Sequence, residues 1–123
     1  MTFLCLCYYD QTMFDALKPD DLAALEEACK PHDQALRNSG RLFAQASLAF
    51  PQTARTVRPG KNAPSVTGGP YTASNEPIGA FFIVEAQDMD EAAQVASKHP
   101  GAHVGNFLGG GIEVRACDFF QAG

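Results

Sequence analysis

No stretch of this 123-residue chain is apolar for long, and basic residues are scarce: nine Lys and Arg stand against fourteen Asp and Glu, a formal charge of −5. The first absence argues against a bilayer-spanning helix, which needs about 20 consecutive apolar residues. The second argues against nucleic acid, whose phosphates demand a basic footprint. The opening segment Met1 to Asp10 is apolar but has no basic leader, so it reads as a mature strand and the protein as cytoplasmic. There is no Cys-x-x-Cys pair among the four cysteines. Cys5 and Cys7 fall on one face of one strand, a poor geometry for a bridge, while Cys29 and Cys117 stand alone. Zinc and thioredoxin-type chemistry therefore lack their sequence basis, and small core thiols are the expectation. The excess charge of disordered chains is missing too, since the chain is 46% apolar and 19% charged. One domain over residues 1–123, with no internal repeat, accommodates that length and composition.

What is present begins with the run Ile78-Gly79-Ala80-Phe81-Phe82-Ile83-Val84-Glu85-Ala86, a strand with no wet face. It leads at once into a helix expected from Met89 to Lys98, capped by Asp88 with Glu91 three residues on. Upstream, residues 2–9 predict a first strand and Asp10 to Pro19 a turn. A helix from about Asp20 follows, with Leu22, Leu25, Cys29, His32 and Leu36 on one sheet-facing stripe. Pro31 predicts a kink or restart in that helix, and Gly40 its end. Arg41 to Phe50 reads as a second strand.

From Pro51 to Pro77 the composition turns rich in proline and glycine, with short strand-like pieces at 54–58 and 63–67, the pattern of a hairpin arm. Arg37, Arg41, Arg55, Arg58 and Lys61 gather near it. They read either as solvated hairpin edges or as an electropositive rim for a small anion. His99-Pro100-Gly101-Ala102-His103 and Gly109-Gly110-Gly111 read as flexible loops around a last strand at Gly111 to Cys117. The order β-α-β, arm, β-α-β is the split βαβ pattern of ferredoxin-like α+β domains, whose helices occupy one face of the sheet. The other face carries residues such as Leu4, Leu6, Phe81 and Ile83 or their neighbours. A second copy packed by two-fold symmetry would cover it, so a homodimer is expected.

Six segments in order give a resemblance to a known family. Phe3-Leu4-Cys5-Leu6-Cys7-Tyr8-Tyr9-Asp10, Leu36-Arg37-Asn38-Ser39-Gly40, Thr67-Gly68-Gly69-Pro70-Tyr71, Gly79 to Ala86, Asp88-Met89-Asp90-Glu91-Ala92 and Ile112-Glu113-Val114-Arg115 resemble the YCII-related family, in particular its DGPF branch. The resemblance implies a dimeric α+β barrel with a pocket between helices, sheet and partner subunit, and it implies an association with sigma-factor systems. The Asp-Gly-Pro-Phe signature itself stands here as Gly68-Gly69-Pro70-Tyr71. Catalytic relatives pair a histidine on the first helix with the aspartate of an Asp-Pro step after the second. The corresponding positions are Cys29, one turn before His32, and His99-Pro100.

Candidate site residues follow. His32 is the candidate catalytic base, since a helical histidine on an apolar stripe can be tuned by burial or by a carboxylate; the alternative is a core or interface histidine held by one hydrogen bond. Asp33 points about a quarter-turn away from it and makes a poor partner. Glu113 and Arg115 share one face of the last strand, as a structural pair or as ligand-orienting groups, and Glu85 can join them. Tyr8, Tyr9 and Tyr71 are candidates to line a pocket with their hydroxyls, the alternative being amphipathic tyrosines at the core edge. His99 joins the ligand-binding set. It stands four residues from His103, but the intervening Pro100 and Gly101 argue against a helical metal pair, so no metal and no cofactor are expected. The leading functional reading is a small-molecule-binding, regulatory dimer; an enzyme using His-assisted acid/base or hydrolytic chemistry and a protein-interaction module are the alternatives.

Overall fold

In the computed structural model, which describes residues 1–123, the apolar run takes an interior position in a four-stranded antiparallel sheet. The strands of that sheet are β1 (Thr2–Tyr8), β2 (Leu42–Ser47), β5 (Ile78–Glu85) and β6 (Gly111–Ala116), in the order β2-β5-β1-β6. Between them run α1 (Gln11–Asp15), α2 (Pro19–Asn38), α3 (Met89–Ala96) and α4 (Gly105–Leu108). A separate two-stranded hairpin, β3 (Arg55–Arg58) with β4 (Ser65–Gly68), forms the arm. This is the ferredoxin-like α+β arrangement with an inserted hairpin that the element order predicts.

Strand alternation decides what each face does. Phe3, Cys5, Cys7, Phe82 and Val84 point to the front and are buried against Leu36 of α2 and Ala92, Val95 and Ala96 of α3. The short Ala92 and Ala96 side chains let α3 approach the sheet closely, and fully burying one of the larger groups is worth about 1.5–3 kcal/mol. The rear face follows from the register: Ala44, Ile83, Leu4 and Arg115 lie side by side in one row, and Ala46, Phe81, Leu6 and Glu113 in the next. Its apolar members are half-buried, and no helix packs on them as α2 and α3 do on the front. The chain beyond β6 crosses one end of the sheet, because the Phe120 ring meets Phe43 on the opposite edge strand edge-on at 5.4 Å.

Several expectations need correction. α2 is one helix containing Pro31, with no restart. Pro31 faces solvent, so water can take the carbonyl its missing N–H leaves free. The stripe does not face the sheet along its whole length: Leu36 is buried, but Leu22 is 43% exposed. The turn expected at 10–19 contains α1, capped by the Asp10 carboxylate, which accepts from Met13 N at 2.9 Å. The glycine-rich material after α3 is ordered backbone: a 3₁₀ turn at Pro100–Ala102, then α4, then Gly109 and Gly110 at positive φ. α3 ends at Ala96, two residues early, and β2 ends at Ser47, short of Phe50. The arm stands away from the core, with Val57 and Val66 paired across it and 65% and 60% exposed. No helix is long and apolar enough to cross a membrane.

Candidate functional site

A concavity lined mainly by apolar groups opens on the front face, where the ends of β1 and β5 meet α1 and the turn after α3. Its volume is about 410 Å³, within the roughly 300–1,000 Å³ usual for small-ligand sites. Cys7 and Ala80 of the sheet form part of its wall, Cys29 and Asp33 of α2 another, and His99, Pro100 and Gly101 a third. Tyr9, Phe14 and Phe50 make an aromatic rim, packed edge-on in sequence with ring centroids 6.0 and 5.3 Å apart.

Local backbone chemistry fixes that rim. Asp10 N donates to Leu108 O at 2.7 Å, Gln11 N to Asn75 O at 2.8 Å and Tyr9 N to Pro77 O at 3.2 Å. The segment leaving β1 is thereby held by α4 on one side and by the chain returning from the arm on the other. Gly110 is required for this closure: its φ is +70°, and a Cβ there would sit 1.9 Å from Tyr8 O. A Cβ on Gly79 would meet the Tyr9 ring at 2.7 Å, so this glycine lets the ring lie against β5.

His99 is the best-defined polar group of the cavity. It is the N-cap of the 3₁₀ turn, and its Nδ1 accepts from Gly101 N at 2.8 Å. Pro100 at the first position of the turn supplies the fixed φ, and its absent N–H is not missed there. The ring lies flat on the buried Phe82, with centroids 4.5 Å apart and planes 3° from parallel. The Cys7 thiol lies alongside, 3.9 Å from Nδ1. Because Nδ1 is an acceptor, the neutral ring carries its proton on Nε2. Burial lowers the His99 pKa, against a smaller opposing pull from the Asp33 carboxylate. The cavity thus presents a neutral imidazole with an Nε2–H to give.

The thiols are not tuned for attack. Burial pushes Cys7 up to about 11. Cys29 is raised by burial and by Asp33. Both are held as thiols, and thiolate nucleophiles arise where the pKa falls. Asp33 is the one charged residue in the lining, and it makes no ion pair.

With this geometry in hand, comparison with known proteins adds the family. A model of the YCII-related domain matches residues 1–114 of the chain. The chain belongs to the YCII-related family. An uncharacterized protein of Rhizobium meliloti (strain 1021) is 23% identical to it over 123 residues, covering 100% of this chain and 97% of the other. Among solved structures, it is similar to 5-chloro-2-hydroxyhydroquinone dehydrochlorinase from Burkholderia phenoliruptrix AC1100, in complex with 2,5-dihydroxybenzoquinone. That similarity has a TM-score of 0.49 at 18% identity, over 96% of this chain and 94% of that one.

The YCII-related chain distributes its sequence-derived candidates over three places. His99 lines the front cavity, as does Tyr8. Tyr8, however, belongs to the rear-face register and its hydroxyl donates to Glu113 at 3.0 Å, a bond that raises the tyrosine pKa. Glu113 pairs with Arg115 at 3.8 Å, and Glu85 with the N-terminal ammonium at 3.5 Å, all on the rear face. Tyr71 sits on the arm under the Arg58 guanidinium, 4.3 Å from its ring centroid. His32 is outside the cavity, stacked on His103 at 3.9 Å with planes 4° apart. His103 Nε2 in turn lies 2.6 Å from Ser97 O. His99 and His103 face different neighbours, and no group of three or more His, Cys, Asp or Glu able to hold a metal ion is present.

Sequence reasoning missed Asp33 because it measured that residue against His32. Measured against Cys29 it is i, i+4, on the same helical face, and that pair looks into the cavity.

Proposed function

We propose that this YCII-related protein binds a small organic molecule in the front cavity, with the His99 Nε2–H as its principal hydrogen-bond donor and Tyr9, Phe14 and Phe50 as its apolar walls. The observation carrying this reading is the Gly101 N–H bond to His99 Nδ1, which places the imidazole proton on Nε2, whose one polar neighbour is the weakly accepting Cys7 sulfur at 4.0 Å. A general base needs a free lone pair at that nitrogen. Here the geometry favours donation, to a carbonyl, an ether or a phenolic oxygen. The reading is of a binding or regulatory protein. A second reading as an enzyme is supported by the same N–H together with Asp33, since a neutral imidazole can stabilise charge developing on a substrate oxygen.

We also propose that two copies associate through their rear faces, supported by the half-buried rows around Phe81 and Leu6 and by Phe43, which is 54% exposed. Within the family we place the chain in the DGPF-like branch, on Thr67-Gly68-Gly69-Pro70-Tyr71 and the strand that follows. A role in contacting another protein, as in sigma-factor regulation, would need apolar surface left over after dimer formation.

The binding reading is tested by two-dimensional NMR with benzyl alcohol as probe. We expect shift changes confined to His99, Gly101, Tyr9 and Cys7, and their loss in Ala80→Phe, which fills the cavity between β1 and β2. Shift changes on the rear face alone, or binding unaltered in Ala80→Phe, would overturn it.

A further inference from the structure

The cavity's charge distribution points to a ligand class. Of its 17 lining residues Asp33 alone is charged, and neither Lys nor Arg is among them. None of the chain's Lys and Arg side chains pairs with Asp33: Arg41 pairs with Glu91 at 3.0 Å, Lys30 with Glu27 at 2.6 Å and Arg115 with Glu113, Arg58 lies over Tyr71, and Arg37 and Lys98 stand outside the lining. Asp33 has neither an ion-pair nor a hydrogen-bond partner of its own, although it is half-buried and near enough to His99 and Cys29 to act on both. An anion entering this space would meet a like charge and no cation in the lining. A cation would meet the carboxylate and, at the rim, three aromatic rings whose π-faces attract positive charge.

We propose that the cavity is built for a small cationic ligand of single-ring size: an amine or other positively charged nitrogen placed against Asp33, with an apolar body among Tyr9, Phe14 and Phe50 and an acceptor atom within reach of the His99 Nε2–H. The inference deepens the binding reading above and rests on it. It also fits the whole molecule, since a chain of formal charge −5 attracts cations to a cleft more readily than anions. The electropositive rim that the cluster of arginines suggests in the sequence is not found at this cavity, because the arm carries Arg55, Arg58 and Lys61 away from its lining.

The test is an isosteric series on the full-length protein: benzylamine, benzyl alcohol and benzoate, titrated by calorimetry or NMR at pH 7.5. Benzylamine should bind about tenfold more tightly than benzyl alcohol, the size of one favourable charge contact in a partly wet site, and benzoate more weakly than either. Asp33→Asn should bring the amine-to-alcohol ratio to about one. In the wild type the same ratio should shrink as salt is raised from 20 to 500 mM, a readout that needs no variant. A ratio near one in the wild type, or a preference that survives Asp33→Asn, overturns the cationic class while leaving the binding reading intact. Failure of all three probes to bind overturns both.

Discussion

Acidification offers the sharpest test of how His99 is held, because its pKa is lowered in the folded protein by burial and partly restored by Asp33. A histidine that is free in the unfolded chain takes up its proton near pH 6.5. In the folded chain it does so only at lower pH. Between those two values the unfolded state binds more protons, so the stability His99 contributes is fully present above about pH 6.5 and is lost as the pH falls toward the folded value. The slope in that window is at most about 1.4 kcal/mol per pH unit, reduced by the water that reaches the cavity mouth. Protonation also puts a hydrogen on Nδ1, opposite the Gly101 N–H that it accepts from at 2.8 Å. Urea denaturation at fixed protein concentration, stepped from pH 7.5 to 5.5, measures the loss. His99→Asn keeps a side-chain acceptor at the cap without a titrating group, so contributions from the rest of the chain cancel in the comparison. The wild type should lose more stability on acidification than His99→Asn. Asp33→Asn should lose more than the wild type, since removing the carboxylate lets the folded pKa fall further and widens the window. Equal slopes in wild type and His99→Asn, or a shallower slope in Asp33→Asn, would refute the reasoning.

Two further outcomes follow from the backbone and from the rear face. Gly110→Ala should destabilise by more than about 2 kcal/mol, because a left-handed φ costs about 1–2 kcal/mol and its Cβ meets a backbone oxygen that cannot swing away. Gly40→Ala, at φ +71° with nothing within 4 Å, should show the conformational part alone, and equal losses in chemical denaturation would contradict the contact argument. Phe81→Lys should weaken self-association by about two orders of magnitude while leaving the circular dichroism spectrum native, since an unpartnered charge in a covered apolar row costs several kcal/mol. Sedimentation equilibrium checks it, and a wild type that is monomeric at high micromolar concentration would remove the dimer.

Much of the fold was legible because period and punctuation agree. The alternation in Phe3-Leu4-Cys5-Leu6-Cys7 separates the two faces of β1, and the Asp88 cap accepts from Glu91 N at 2.9 Å where the spacing places it. What was illegible depended on neighbours distant in sequence. Asp10 to Pro19 shows no apolar periodicity long enough to announce a helix, yet α1 forms there because Asp10 caps it and Asn75 holds its start through Gln11 N and Thr12 Oγ1. His99 to His103 reads as loop from its Pro-Gly step, but Phe82 provides a flat surface for the imidazole, and a turn capped by His99 orders the backbone. The site was only partly readable for the same reason. Cys29, Asp33 and His99 come from two elements 60 or more residues apart, and no spacing in the chain announces their meeting.

Cys29 and His99, which stand near the positions where the resemblance implies a helix histidine and an Asp-Pro aspartate, both line this cavity. In this cavity the helix carries a carboxylate, Asp33, one turn beyond Cys29, and the turn after α3 carries the imidazole of His99. That placement decides what each group can do. A histidine at an N-cap is constrained through Nδ1 by the backbone N–H it accepts from, whereas a carboxylate on a helix face is free of backbone obligations and here has no partner at all. The turn therefore determines which imidazole nitrogen holds the proton, and the helix provides an open negative charge. Binding a ligand cation beside a fixed N–H donor follows from that division more directly than proton abstraction does, because the only lone pair on His99 is already in use.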